Sequence, residues 1–304
     1  MDIFDPLKSM MEKITEFLFG VFRGGTESFL DMITELFQKS VDTVQTQVSE
    51  TPTEFSQTIV ENLRTISETA ILPVAGLLLT YIFCYELYQM VVEKNRGSDF
   101  ETGQLLFLII KTSVMILLVS NCFDITLAVF DLGKWITDQV PSSTLKIPDS
   151  VKESILGTMP DPDSDNITME DVGNAISMWI VAGIALIITF VMSGIIYLVA
   201  WSRIVAILLY ISVAPLPFAT FMNKDWIGTI GQTYVKNLVA LMLQGYFMLV
   251  CLVVYAGLLE KASGLITTDG SGLYGLMLMV VSMAILVVSL TRTHSLAKSV
   301  MGVV

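Results

Sequence analysis

Hydrophobic positions follow two different patterns along this chain. Beyond residue 68 they gather into dense runs. Before it they recur at every third or fourth place. The dense runs cover residues 69–92, 104–129, 176–221, 238–259 and 273–291. A helix of about 20 apolar residues crosses a bilayer core, and each run reaches that length. The third is long enough for two crossings, with Arg203 as its one charge. The pattern predicts an all-α, polytopic helical membrane protein with about five transmembrane helices. It also predicts a proline-broken re-entrant segment and, ahead of the spans, amphipathic N-terminal helices.

In the first 68 residues, Ile3, Phe4, Leu7, Met10, Met11, Ile14, Phe17, Leu18, Val21 and Phe22 share one helical face. Gly24-Gly25 is predicted to end that helix. A second stripe runs through Phe29, Leu30, Ile33, Leu36, Phe37, Val41, Val44 and Val48. Thr51-Pro52-Thr53-Glu54 then reads as a helix start, with Thr51 as cap, Pro52 in the first turn and Glu54 reaching back. Three amphipathic helices thus precede the first span. They form either a small self-packed bundle or a collar on the membrane or partner subunits. Five basic against twelve acidic residues in this stretch argue against charge-driven binding to anionic lipid. The chain divides into an extracytoplasmic helical region (1–68), two transmembrane helices (69–129), an acidic extracytoplasmic loop (130–175) and three further transmembrane helices with the proline segment and a short cytoplasmic tail (176–304).

Ala214-Pro215-Leu216-Pro217-Phe218 breaks the third run, because each proline lacks a donor and disfavours helix at the residue before it. The reading adopted is one span over 176–201, with 204–221 dipping in and returning. A proline-kinked sixth span is the alternative. Non-helical backbone at membrane depth needs protein or a wet cavity around it, so Pro215, Pro217 and Phe218 are assigned to a re-entrant or inner-mouth segment. Orientation follows from Lys and Arg, which favour the cytoplasmic side of short loops. Lys94, Arg96, Lys224, Lys236, Arg292 and Lys298 fit a multi-pass membrane protein with its N-terminus outside and its C-terminus in the cytoplasm. Arg203, Lys224, Trp226 and Lys236, with Tyr234, then fall near the cytoplasmic mouth. They are read either as a nucleic-acid contact or as the ordinary interfacial belt. Glu86 and Lys111 lie at matching depths on neighbouring antiparallel spans and are expected to approach each other.

Composition agrees. Apolar residues make up 53% of the 304 and charged residues 15%, and mean hydropathy is +0.70, unlike ordinary soluble domains. A net charge of −12 removes any broad basic surface for nucleic acid. Cys84, Cys122 and Cys251 sit in apolar runs and read as buried thiols. The outer loop has one short helix expected near 151–156. Its Asp161, Asp163, Asp165 alternation lacks the glycine and glutamate of a calcium loop. The chain has no Gly-rich phosphate loop ending in Gly-Lys-Ser/Thr, no Cys-x-x-Cys, and a single histidine, His294. No enzyme activity and no cofactor are expected.

One family accounts for several motifs at once. Pro73-Val74-Ala75-Gly76-Leu77, Cys84-Tyr85-Glu86-Leu87 and Glu93-Lys94-Asn95 resemble the first-span signature of TrbL-like proteins. These are polytopic inner-membrane subunits of conjugative type IV secretion systems, here most similar to the form on Gram-positive integrative elements. Ser212-Val213-Ala214-Pro215-Leu216-Pro217-Phe218-Ala219-Thr220 resembles the family's central motif. Asn223-Lys224-Asp225-Trp226, Gly231-Gln232, Gln244-Gly245 and Ser295-Leu296-Ala297-Lys298 follow in order. The resemblance runs from about residue 69 to the C-terminus. It implies a channel or platform subunit helping to export single-stranded DNA and attached protein. It also implies a homo-oligomeric ring, plausibly a pentamer, with partner cytoplasmic ATPases and an extracellular stalk component. It carries over no catalytic residues. A purely structural scaffold and a small-solute transporter are the alternatives. The absence of an inverted repeat between the halves counts against the transporter.

Overall fold

The computed structural model describes residues 5–94, 102–140, 150–160, 167–223, 228–269 and 272–303. Among these residues all regular structure is helical. The helices are α1 (Asp5–Ser49), α2 (Pro52–Phe55), α3 (Gln57–Ile66), α4 (Leu72–Lys94), α5 (Thr102–Ser120), α6 (Cys122–Thr137), α7 (Ser150–Leu156), α8 (Met169–Ser212), α9 (Pro215–Ala219), α10 (Gly228–Asp269) and α11 (Gly272–Val300). Among the described residues, five stretches are long and apolar enough to cross a membrane: Gln57–Val92, Gly103–Ser120, Met169–Ser212, Gly228–Lys261 and Gly272–Val300. The protein is thus a multi-pass helical membrane protein. At about 1.5 Å per residue, the 44 residues of α8 run about 66 Å, twice a bilayer core of about 30 Å.

The chain folds as two compact units, each assembled from separate stretches of sequence. One comprises Met1–Gln45, Pro141–Val199 and Met248–Thr291, the other Thr46–Val140, Ala200–Phe247 and Arg292–Val304.

In the first unit, α1 is continuous through Gly24-Gly25, where a break was expected. The reason is contact. A Cβ on Gly25 would lie 2.7 Å from the Trp179 ring, so the glycine admits the indole of α8 against the helix. Phe22 meets that ring edge-on and Phe29 stacks on it, both at 5.7 Å. The face of α1 that packs runs through Thr15, Phe19, Thr26, Leu30, Ile33, Phe37 and Val44. The first expected stripe is largely outside it: Met10, Met11, Ile14, Phe17 and Val21 are all exposed. Phe37 packs on Tyr255 of α10 at 5.2 Å. Lys152 of α7 reaches Glu27 and Asp31, and Arg23 donates to the Pro160 carbonyl. The short helix expected in the outer loop is α7. Asp161, Asp163 and Asp165 lie outside the described residues.

In the second unit, Thr51 and Glu54 form the full reciprocal capping box that starts α2. The third amphipathic helix is not separate from the first span, since a π-helical turn, Ser67–Ile71, joins α3 to α4 without interruption. The second span is shorter than its hydrophobic run. It ends at Ser120, and α6 begins after Asn121, whose amide donates to the Leu117 carbonyl at 2.8 Å. Asparagine competes in this way for helix carbonyls and so favours breaks. Asp124, which sequence placed inside the span, instead pairs with Arg64 of α3, whose guanidinium also sits 4.9 Å from the Phe123 ring centroid. Two cores result. Ala75, Leu79 and Ile82 of α4 meet Leu108 and Met115 of α5 and Phe218 and Ala219 of α9. Val60, Phe123 and Phe130 meet Ile207, Ile211 and Leu238.

Candidate functional site

The second unit holds the features that chemistry singled out. Helix α8 does not end near Arg203 but continues to Ser212. It stops where proline requires. Pro215 has no N–H to offer the Ile211 carbonyl, and the chain tightens. Ala214 N–H donates to Ile211 O at 3.3 Å, and Leu216 N–H to Val213 O at 3.2 Å. This withdraws the Ala214 N–H that a continuing helix would give to the Tyr210 carbonyl. Tyr234 of α10 replaces it, its hydroxyl donating to Tyr210 O at 2.7 Å while the two rings stack at 5.7 Å. Prolines at its first and third positions start α9, and Thr220 closes it by donating to the Pro217 carbonyl at 2.7 Å. Gly231 lets α10 approach this elbow, because a Cβ there would stand 2.7 Å from Pro217 O.

Pro215 and Phe218 are buried, and α9 packs against α4 and α5. The segment read as re-entrant or inner-mouth is thus packed against the chain's own helices. This satisfies the same demand for partners at membrane depth.

Arg203 is also inside protein. It is 7% exposed, and its Nη1 donates to the Gln47 carbonyl in the last turn of α1 at 3.4 Å. A cation there complements the partial negative charge of a helix C-terminus. Gly245 of α10 leaves the room, since its Cβ would meet Nη2 at 2.6 Å. Beside it, Gln244 Oε1 and His294 Nδ1 are 3.3 Å apart. Lys236 is exposed on α10. Lys224 and Trp226 lie outside the described residues, so of the four residues assigned to the cytoplasmic mouth the structure places Arg203 and Lys236, and it buries the first.

Glu86 of α4 and Lys111 of α5 come together. Their charged atoms are 3.8 Å apart, with side chains 20% and 19% exposed. Outside the spans, Lys134 of α6 pairs with Glu54. Lys134 and the capping interaction with Thr51 hold the Glu54 carboxyl below the usual carboxylate range, and Glu54 raises Lys134 in turn. Burial pushes the Cys122 thiol up to about 11, keeping it inert. Among the described residues no group of three or more His, Cys, Asp or Glu side chains could hold a metal ion.

The elbow partners Tyr210 and Gly231, and the Gln47 carbonyl, escaped sequence reasoning as a set. The carbonyl freed five residues before the first proline of the Pro-x-Pro break was the available signal for a hydroxyl partner. No curated protein and no solved structure matches the chain. The family model for TrbL/VirB6 plasmid conjugal transfer like proteins matches residues 37–215. It begins earlier than the motifs on which the resemblance rested, taking in the end of α1. It stops at the first proline of the elbow, leaving the later motifs outside. The match covers more than half of the protein, from α1 through all of α8, and the chain belongs to the TrbL/VirB6 plasmid conjugal transfer-like family.

Proposed function

We propose that this chain is the membrane channel or platform subunit of a type IV secretion apparatus, helping single-stranded DNA and attached protein leave the cell across the cytoplasmic membrane. Family membership makes it a component of a conjugal transfer apparatus in a family of structural subunits. The observation that supports an assembling role is how little of its spans the chain itself covers. Leu77 is 72% exposed, Leu106 61%, Phe107 64% and Leu117 65%. These surfaces on α4 and α5 are available to lipid and to neighbouring copies in a homo-oligomeric ring. The exposed apolar face of α1 at Met10, Met11, Ile14 and Phe17 is available to a stalk component outside.

The N-terminus is outside and the C-terminus inside, where cytoplasmic ATPases supply the energy that no nucleotide motif here can. A cysteine at Ser299 should therefore resist impermeant thiol reagents in intact cells. The burial of Pro215 and Phe218 against the chain's own helices favours a second reading, a scaffold that never touches substrate. Crosslinking transferred DNA to this subunit in donor cells separates the two. A DNA adduct supports the channel. No adduct here beside a positive neighbouring subunit supports the scaffold.

A further inference from the structure

Helices α4 and α5 part toward Leu72 and Ser120, leaving a groove of about 380 Å³ between them in the second unit. Gly76, Thr80 and Phe83 of α4 line it with Thr112 and Ile116 of α5. Both helices belong to stretches that cross the membrane. From Leu72 to Phe83 the groove runs about 16.5 Å at about 1.5 Å per residue. Half of a hydrocarbon core of about 30 Å is about 15 Å, so the groove is one leaflet deep. Its deep end adjoins the Glu86–Lys111 pair, because Lys111 directly precedes Thr112 and Glu86 follows Phe83 within a turn. Its other end opens at Ser120, where α5 stops. Local sequence explains the shape and the lining. Gly76 contributes no side chain, and a Cβ there would meet nothing within 4 Å. Thr80 and Thr112 fold their hydroxyls back onto their own helices, donating to Gly76 O at 2.9 Å and to Leu108 O at 2.8 Å. Each hydroxyl proton is thus already committed, and the groove below Ser120 is apolar.

Three occupants compete at this depth. Water stays in a cavity only with several polar partners, and these walls have committed theirs. A helix of a neighbouring copy is about 10 Å across, so along this length it would fill about 1,300 Å³ and does no more than bridge the mouth. A lipid tail is narrow, apolar and one leaflet long. We infer that the groove between α4 and α5 is a binding site for one acyl chain of a membrane phospholipid, with its headgroup at the Ser120 end. On the orientation proposed above, the lipid belongs to the outer leaflet. Its tail completes the packing of the first two spans over the half of their length that the Glu86–Lys111 pair does not join. The site serves a channel and a scaffold alike.

The test uses cells that carry the assembled apparatus and have built a fatty acid with a photoactivatable diazirine near its end into their phospholipids. After illumination, adducts on the purified chain should concentrate on Phe83, Thr112 and Ile116. Ile110 and Val114 are exposed at a similar depth on α5 but lie outside the groove, and should carry far fewer. Gly76→Leu fills the groove from a position where its Cβ meets no protein, and should lower the groove adducts roughly five-fold or more. Thr80→Leu should act in the same direction. Leu77→Phe, on the exposed surface beside the groove, should leave them unchanged. Equal labelling inside and outside the groove, unmoved by Gly76→Leu, would mean bulk lipid only and overturn the site. Labelling at Ile110 and Val114 with none in the groove would mean that a neighbouring subunit closes it, and would overturn the inference too.

Discussion

Two adjacent glycines in α1 should respond to alanine in opposite ways. Alanine in a helix interior is better than glycine by about 1 kcal/mol. At Gly24 a Cβ meets nothing within 4 Å, so Gly24→Ala should gain about that amount. At Gly25 the same atom would lie 2.7 Å from Cδ1 and Nε1 of Trp179. Carbon contacts are comfortable near 3.5–4.0 Å, so the indole must retreat by about 1 Å. It cannot do so freely, because Phe22 abuts its edge and Phe29 its face. Overpacking of this kind costs about 1–3 kcal/mol, which cancels or exceeds the helix gain. The two variants should therefore differ by about 1–3 kcal/mol. In detergent, Gly25→Ala should melt several degrees below Gly24→Ala. If Gly25→Ala melts at or above Gly24→Ala, Trp179 does not hold this helix as described.

Three further outcomes follow from the second unit. Glu86→Leu and Lys111→Leu should each destabilise the assembled protein by about 1–3 kcal/mol, and the double variant should recover much of the loss; strictly additive losses would mean the two charges do not interact. Replacing Pro215 and Pro217 together with alanine should let α8 run on and draw Phe218 from its core, lowering transfer while the membrane-inserted amount stays unchanged; normal transfer frequency counts against the elbow. The Glu54 carboxyl is depressed in the folded state, so its stabilisation is complete above the ordinary carboxylate range and is lost as pH falls through the lowered value. Glu54→Gln should thus melt lower than the parent near neutral pH, with the gap closing on acidification; a gap independent of pH would show that the pair with Lys134 contributes nothing.

The number and apolar character of the crossing helices were written in composition, since only a run of about 20 apolar residues can exchange water for lipid without loss. The capping box at Thr51–Glu54 and the stop after Ser212 were equally local. They depend on a hydroxyl, a carboxylate and missing N–H groups within a few residues of the effect. The proximity of Glu86 and Lys111 needed only helical rise and a short connection. What sequence could not supply was whether a given weak point yields. Gly24-Gly25 reads as a break until Trp179 fills the space at Gly25. Arg203 reads as a span end until Gly245 and the Gln47 carbonyl accommodate it inside protein. Asp124 falls within the apolar run 104–129 until Asn121 ends the span before it and Arg64 meets it. In each case the local preference is about a kilocalorie or a few. Contacts made by residues far away in the chain are of the same size, so the tertiary structure decided the outcome.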